Sequence, residues 1–263
     1  MPKIKIATFN VNSLKARLPI VERFLRVENA PDVICFQETK CQDADFPIDF
    51  FAELGYRAAF RGMKSYNGVA VVSRKTPDDV SFGFDDGLDA EQDYARLAVA
   101  RFAGFGVVCS YVPQGKSMEL PDFKYKLRFF ERVRELFEKR FKPSDLLLWT
   151  GDINVAPTDI DVTHPENKRD HVCVCEEARD ALASALSWGL VDVFRRLRPD
   201  PGEFTFWDYR VKNALERNIG WRIDHLFATV PLAERCCDVY VERELRAMER
   251  PSDHTALVGV FEL

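Results

Sequence analysis

Acidic and amide side chains recur where apolar segments of this sequence end or begin. Glu38 follows VICFQ, Asp152 follows LLLWTG, and Asp253 lies just before ALVGVF. The full set is Asn10, Asn12, Glu38, Asp152, Asn154, Asp224, Asp253 and His254. A polar group at the end of a buried strand costs on the order of 2 kcal/mol unless it is paired or binds a ligand. If these ends share one edge of the sheets, they bring together acids, amides and one histidine.

Such a group of side chains suits a hard divalent cation. Mg²⁺ is bound through one or two carboxylates together with water and substrate phosphate. A histidine-rich zinc site is disfavoured because the sequence has only four histidines, His164, His171, His225 and His254. The glycine-rich nucleotide motifs and the serine-hydrolase motif are absent. Hydrolysis of a phosphate ester is the chemistry that the residues favour.

The composition is that of a folded globular protein, with 46% hydrophobic and 30% charged residues among 263. The 37 basic and 42 acidic residues give a net charge of −5. Residues 76–95 contain seven of the acids and no Lys or Arg, so the rest of the chain carries a slight positive excess. We interpret 76–95 as a solvated connection, and the remainder is compatible with a nucleic-acid partner.

The seven cysteines are odd in number and include no C-x-x-C pair, which disfavours a disulfide framework and indicates a reducing compartment. The first ten residues have no apolar core of a signal peptide, and no later apolar run approaches about 18 residues. We therefore expect a cytoplasmic protein with no membrane partner.

Hydrophobic periodicity predicts a mixed α and β fold in a single domain spanning 1–263. Helices are predicted over 17–28, 47–54, from Pro121 to Phe141, and over 176–188. Strands are predicted over 4–11, 32–38, 69–73, 97–102, 107–113, 146–149, 204–209, 222–229, 238–241 and 256–261. Hairpins mixed with crossovers favour sheets packed face to face with helices outside. The sequence shows no internal repeat.

Six segments, TFNVNSLKAR, DVICFQETK, YVPQG, GDINVAPTDID, WRIDH and RPSDH, resemble the motifs of the exonuclease III family of AP endonucleases. They run in order from Thr8 to His254. The resemblance implies a four-layered α/β sandwich of two mixed sheets flanked by helices. It also implies an AP endonuclease that cuts double-stranded DNA 5′ to abasic sites, with 3′→5′ exonuclease and 3′-end-cleaning activity. We expect a monomer that depends on Mg²⁺, for which Mn²⁺ substitutes.

The same resemblance assigns the metal ligands. Glu38 is the main Mg²⁺ ligand, with Asn10 and Asp253 in the same shell. Asn12 stands where some relatives have Asp. Because an amide can donate to phosphate but adds no negative charge, Asn12 is expected to bind substrate, and a second metal site is disfavoured.

The catalytic roles also follow from the resemblance. Asp152 orients or deprotonates the attacking water, and Asn154 holds the phosphate beside it. His254, polarised by Asp224, binds the scissile phosphate and stabilises its growing charge. Tyr111 contacts the phosphate or the leaving 3′ oxygen. These roles amount to positioning and electrostatic stabilisation of an in-line displacement.

Substrate contacts are expected from a basic and aromatic stretch over 204–222. Phe206 and Trp221 match residues that line the pocket for a base-less sugar. Lys116, Arg210 and Asn218 are expected to bind substrate through the DNA backbone. The segment 164–175 differs among family members and is expected to affect which damage is accepted.

Two other functions fit parts of the pattern. A superfamily phosphatase or phosphodiesterase acting on small phosphate esters would keep the same metal and histidine, but YVPQG and WRIDH disfavour it. An inactive DNA-binding relative is disfavoured because Glu38, Asp152 and His254 are all intact.

Overall fold

The computed structural model describes residues 2–263, which form two six-stranded mixed sheets. The first sheet has the spatial order β11 (Cys236–Val241), β12 (Leu257–Glu262), β1 (Lys3–Asn10), β2 (Val33–Gln37), β4 (Val69–Ser73) and β3 (Arg57–Arg61). The second has the order β5 (Asp79–Phe82), β6 (Leu97–Phe102), β7 (Phe105–Tyr111), β8 (Leu147–Asp152), β10 (Asp224–Thr229) and β9 (Leu190–Asp192). Among the strands of residues 2–263, β1 with β2 and β7 with β8 are the parallel pairs.

Helices cover the outer faces of the sheets and border the core between them. They are α1 (Leu14–Arg26), α2 (Ile48–Glu53), α3 (Glu91–Tyr94), α4 (Pro121–Arg140), α5 (Glu176–Leu186), α6 (Val193–Leu197), α7 (Val230–Ala233) and α8 (Arg243–Arg246), with 3₁₀ turns at Asp43–Asp45, Asp159–Asp161 and Pro165–Asn167. Helices α1 and α2 pack on the first sheet, and α4 and α5 on the second. The predicted four-layered α/β sandwich is confirmed.

Continuous apolar runs mark the central strands because both of their faces are buried. In β8, Leu148 faces the other sheet, whereas Leu147 and Trp149 face the helices. In β2, Cys35 faces the other sheet and Phe36 faces α1 and α2. Side chains alternate along a strand, so a run without polar residues is the expected pattern for a strand between two cores.

One predicted strand was wrong, and three observed strands were not predicted. Residues 204–209 do not form a strand, because Phe206 only makes isolated bridges to Trp221 and His254. Strands β3, β5 and β9 escaped prediction because they lie at or near sheet edges and are short or partly exposed.

Residues 76–95 are also not a plain solvated connection. They contain β5 and α3, and they are bound to helix α4 through Arg132. The Arg132 guanidinium contacts the carboxylates of Asp86, Asp89 and Asp93 at 2.7 to 2.9 Å. One buried cation therefore holds part of the acidic segment against the second sheet's helix layer.

Among the described residues, no helix has both the length and the apolar character needed to cross a membrane.

Candidate active site

The polar residues that follow the central strands meet at one edge of the sandwich. The register places Asn10 opposite Gln37 in the first sheet, and Asp152 opposite both Tyr111 and Asp224 in the second. The Asn10 amide nitrogen donates to Glu38 Oε1 at 2.9 Å and to Asp152 Oδ2 at 2.8 Å. A single buried amide therefore joins the carboxylates that the two sheets supply.

Two buried carboxylates flank the imidazole of His254. Nδ1 of His254 lies 2.8 Å from Asp224 Oδ2, and Nε2 lies 3.8 Å from Asp152 Oδ2. Burial alone would lower the pKa of His254, but Asp224 and Asp152 outweigh it and raise that pKa. Burial raises the pKa of Asp152, and the nearby charge of Asp224 adds to this effect. The array thus holds an imidazolium beside a carboxylate that is more basic than an ordinary aspartate.

Asn154 is fixed beside Asp152 by its own backbone. Its N–H donates to Asp152 Oδ1 at 3.1 Å, and its side-chain nitrogen donates to Val112 O at 2.9 Å. The φ of Asn154 is 54°, in the left-handed region that asparagine tolerates better than most residues. In this conformation, the side chains of residues 152 and 154 both reach the same cleft.

Tyr111 stays a neutral hydrogen-bond donor. Burial raises the pKa of its phenol well above the usual value, and the carboxylates of Glu38 and Asp152 raise it further. The guanidinium of Arg96 lies over its ring, 4.6 Å from the centroid. A phenol held in this way can donate to an oxygen atom of the substrate.

Glu38 lies one residue beyond β2 and adopts a φ of 49°. A glutamate rarely adopts this conformation, and such strain is concentrated at functional sites. Its Oε2 contacts Lys40 Nζ at 2.8 Å. Burial would raise the pKa of Glu38, but hydrogen bonds from Asn10 and Lys40 outweigh it and lower that pKa. Glu38 is therefore ionised, and its side chain is 17% exposed.

A second carboxylate, that of Asp253, lies close to the same mouth of the cleft. Its Oδ1 accepts a hydrogen bond from Asn12 Nδ2 at 2.9 Å, and Asn12 Oδ1 accepts one from Lys40 at 2.6 Å. Asn12 thus joins the loop after β1 to the segment before β12.

Two groups of side chains could hold a cation. Among the described residues, Asp152, Asp224 and His254 have ligand atoms within 4.8 Å of one another. In that group, His254 Nδ1 and Asp224 Oδ2 are already hydrogen-bonded to each other at 2.8 Å. Glu38 and Asp253 instead offer carboxylate oxygens toward the cleft, which is the donor type that a hard cation takes. Asn10 adjoins Glu38 but directs its amide nitrogen to it.

Several of these residues line a cleft of about 430 Å³, whereas Asn10, Asn12, Lys40 and Asp224 are not part of its lining. Its lining consists of Glu38, Tyr111, Gln114, Asp152, Asn154, His171, Cys173, Phe206, Asp208, Tyr209, Arg210, Trp221, Ile223, Asp253 and His254. The ring of Phe206 packs edge-on against His254 at 4.9 Å, and His171 lies 4.6 Å from Trp221. The cleft therefore has a charged floor and an aromatic wall.

Comparison with known proteins identifies this arrangement. The model of the endonuclease/exonuclease/phosphatase family matches residues 7–254. The chain belongs to this family. Exodeoxyribonuclease III of Haemophilus influenzae is 33% identical to it over 98% of the chain and all of the relative. The sequence-based assignment to the exonuclease III family is confirmed.

Solved structures of family members have the same fold over the whole length. An AP endonuclease from Archaeoglobus fulgidus has a TM-score of 0.95 and 46% identity, covering 99% of this chain and 100% of that one. A 3′ phosphatase from Neisseria bound to a product DNA hairpin has a TM-score of 0.93 and 35% identity, with the same coverage. The chain is a hydrolase, a nuclease of the exonuclease III family.

Some residues that the family resemblance assigned to substrate do not line the cleft. Lys116 forms an exposed ion pair with Asp122 at 2.7 Å. Asn218 donates to Gly202 O at 2.8 Å and accepts from Arg243 at 2.9 Å, so its side chain is used within the protein. Arg210 does lie at the cleft, where Asp208 holds its guanidinium.

Sequence reasoning missed several residues in or beside this nuclease site, namely Lys40, Gln114, His171, Cys173 and Asp208. Lys40 and Gln114 lie inside the recognised motifs DVICFQETK and YVPQG, which was a signal for them. His171 and Cys173 lie in the variable segment 164–175, where no motif identifies individual residues. Burial lowers the pKa of His171 to about 4, so its ring lies neutral against Trp221.

Proposed function

We propose that this protein is a Mg²⁺-dependent DNA repair nuclease that cuts double-stranded DNA 5′ to abasic sites. We include 3′→5′ exonuclease activity and 3′-end cleaning in the proposal. The observation that carries it is the buried array of Asp152, His254 and Asp224, of which Asp152 and His254 line a cleft with an aromatic wall. The Neisseria relative bound to a product DNA hairpin supports DNA as the substrate.

Glu38 and Asp253 would hold the cation. Both present carboxylate oxygens at the cleft, and hard oxygen ligands favour Mg²⁺, with Mn²⁺ as a substitute. When bound, such an ion neutralises charge on a phosphate oxygen. Lys40 contacts Glu38, so its ammonium group lies beside the carboxylate that would hold the cation.

Asp152 acts on the attacking water. Its two oxygens are held by Asn10 and by the N–H of Asn154, and its raised pKa makes it a competent base. The water loses a proton to Asp152 as its oxygen bonds to phosphorus. The bond from phosphorus to the 3′ oxygen breaks on the opposite side.

His254 faces the charge that develops on the phosphoryl oxygens. Asp224 fixes the ring through Nδ1, so Nε2–H is directed toward the cleft. An imidazolium at a buried position stabilises this charge more than it would in water. Tyr111 and Asn154 supply donors for the phosphate and for the departing 3′ oxygen.

The aromatic wall suits a sugar that lacks its base. Phe206 and Trp221 form an antiparallel bridge, and the neutral ring of His171 lies beside Trp221. A deoxyribose without a base is apolar on its exposed carbon face and fits beside such rings. Arg210 at the rim would contact the DNA backbone.

We also propose that the enzyme is monomeric and cytoplasmic. All seven cysteines are free thiols, six of them buried, which suits a reducing compartment.

The test is cleavage of an end-labelled duplex that carries one abasic-site analogue. An undamaged duplex and a duplex with a 3′-phosphate are assayed beside it, in Mg²⁺ and in EDTA. We expect Mg²⁺-dependent cutting 5′ to the lesion, and no such product from the His254→Ala variant. Shortening from the 3′ end without incision would contradict the abasic-site assignment. Hydrolysis of small phosphate esters alone, or binding without cleavage, would contradict the whole proposal.

A further inference from the structure

A lysine on helix α4 lies fully buried behind the active site. The Nζ of Lys126 donates to three backbone carbonyls, those of Gln114 at 3.1 Å, of Asn154 at 2.8 Å and of Val172. An ammonium group has three donors, and each of them finds one acceptor here. Burial lowers the pKa of Lys126. All three hydrogen-bond partners are peptide carbonyls, so no carboxylate is hydrogen-bonded to the ammonium group.

The three carbonyls belong to three separate segments, and each segment lines the cleft. Gln114 follows β7, Asn154 follows β8, and Val172 lies between His171 and Cys173 of the variable segment. A second link joins the last two segments, since the N–H of Ala156 donates to Cys173 O at 2.7 Å. One side chain thus holds together backbones that are far apart in the sequence.

Burying a charge without an ionic partner costs several kcal/mol, and a methionine would fill the same space at no such cost. The helix itself does not need the ammonium group, because α4 packs through Phe130, Val133 and Phe137. The lysine's hydrogen bonds are made only to loops of the cleft. The buried ammonium group of Lys126 therefore points to a role in positioning the three segments that line the cleft.

We propose that Lys126 is a positioning residue of the nuclease, which fixes Asn154 and the segments around Gln114 and Val172 relative to Asp152. This inference rests on the proposed function. It assigns to Lys126 no contact with substrate. A shift of about 1 Å in catalytic groups can lower a rate by roughly 100-fold.

The test compares Lys126→Met with Lys124→Met, which removes an exposed lysine two residues earlier on the same helix. Incision of the abasic duplex is measured at saturating Mg²⁺. We expect kcat to fall roughly 10- to 100-fold in Lys126→Met, with a smaller change in KM, and to stay near wild type in Lys124→Met.

A loss of turnover that comes from lower stability must be distinguished from one that comes from misplaced loops. Val133→Ala removes buried atoms from the same helix, seven residues after Lys126, and leaves the hydrogen bonds to the three loops in place, so it provides a destabilised control. If Val133→Ala and Lys126→Met lose similar stability but only Lys126→Met loses turnover while folded, positioning is supported. If both retain full kcat, Lys126 serves stability alone and the inference is overturned.

Amide hydrogen exchange gives a readout that does not depend on nuclease activity. We expect the amides of Ala156 and Val174 to exchange at least 10-fold faster in Lys126→Met, while the amide of Leu148 inside β8 follows global unfolding only. Unchanged exchange at Ala156 and Val174 would overturn the inference. An inactive wild-type protein with accelerated loop exchange in the variant would instead overturn the proposed function.

Discussion

The two sheets repeat the same pattern of strands but contribute different chemistry. Each has a hairpin, a parallel pair joined by a helix, and two further antiparallel strands. In the second sheet, Asp152 ends β8 and Asp224 begins β10 directly opposite it, and both are buried. In the first sheet, the carboxylate of Glu38 lies one residue past β2 and is 17% exposed.

This difference separates two tasks of a phosphodiesterase. A buried carboxylate pair beside an imidazolium suits proton transfer and charge stabilisation in the transition state. A partly exposed, ionised carboxylate suits a hydrated cation that keeps several waters. His254 comes from the segment before β12 of the first sheet, yet it faces the second sheet's aspartates. The imidazole of His254 and the two aspartates therefore come together only because the two sheets pack against each other.

The largest expected effect comes from Asp152, the base that we propose in the second sheet. Asp152→Asn should lower turnover by roughly 10³- to 10⁴-fold while the affinity for DNA stays close to wild type, because the base acts in the transition state. Single-turnover incision gives the rate, and fluorescence anisotropy of a labelled abasic duplex in EDTA gives the affinity. Asp159→Asn, an exposed acid in the following loop, serves as the matched control. Equal losses of binding and rate would contradict the role given to Asp152.

A glycine beside that base tests how tightly the second sheet is constrained. A Cβ on Gly151 would lie 1.9 Å from the backbone oxygen of Ser110, and φ at Gly151 is 142°. Gly151→Ala should therefore lower the free energy of unfolding by about 3 kcal/mol. In the first sheet, Gly259→Ala meets the side chains of Phe261 and Leu226, which can shift, and should cost about 1 kcal/mol. Denaturant unfolding compares the two, and equal costs would show that the β7 and β8 backbones can separate.

The recognised motifs made much of the site predictable. Polar residues directly after runs such as LLLWTG stand out, because a carboxylate at the end of a strand buried on both faces is costly unless it is paired or binds a ligand. The repeat of strand order was not visible in the sequence, since the two sheets share directions and pairings but not residue types.

Other features depend on partners far along the chain. Lys126 lies on the buried face of α4, three residues after Phe123 and four before Phe130, but its three carbonyl acceptors come from loops that the helix pattern does not specify. Arg132 likewise meets its three aspartates about 40 residues away. Hydrophobic periodicity reports on the local element and carries no information about such distant acceptors.

A smaller effect tests the first sheet's assignment to the cation. Glu38→Gln should raise the Mg²⁺ concentration needed for half-maximal incision by roughly 10-fold, because a neutral amide is a weaker ligand for a hard cation. The measurement is a Mg²⁺ titration of incision, with Glu53→Gln, an exposed residue of α2, as the control. If Glu38→Gln left the titration unchanged and Asp224→Asn shifted it, the cation would belong to the Asp152, Asp224 and His254 group.

The smallest effect concerns how the second sheet holds its loops at acid pH. Asp161 is fully buried between Arg222 and Arg195. Burial would raise the pKa of Asp161, but Arg222 outweighs it and lowers that pKa. Because the folded pKa lies below the unfolded value of about 4, this carboxylate stabilises the fold above pH 4 and loses that contribution as the pH falls further.

Urea unfolding between pH 7 and pH 3 measures this contribution. Asp161→Asn should be less stable at pH 7, since Arg222 would lose its buried partner. Below pH 4 its stability should fall less steeply than that of the wild type, by up to about one proton per molecule. Asp159→Asn, whose ion pairs are exposed, should keep close to the wild-type slope. Parallel curves for Asp161→Asn and wild type would mean that other acids control the acid response, and that the second sheet's loops do not rely on this buried pair.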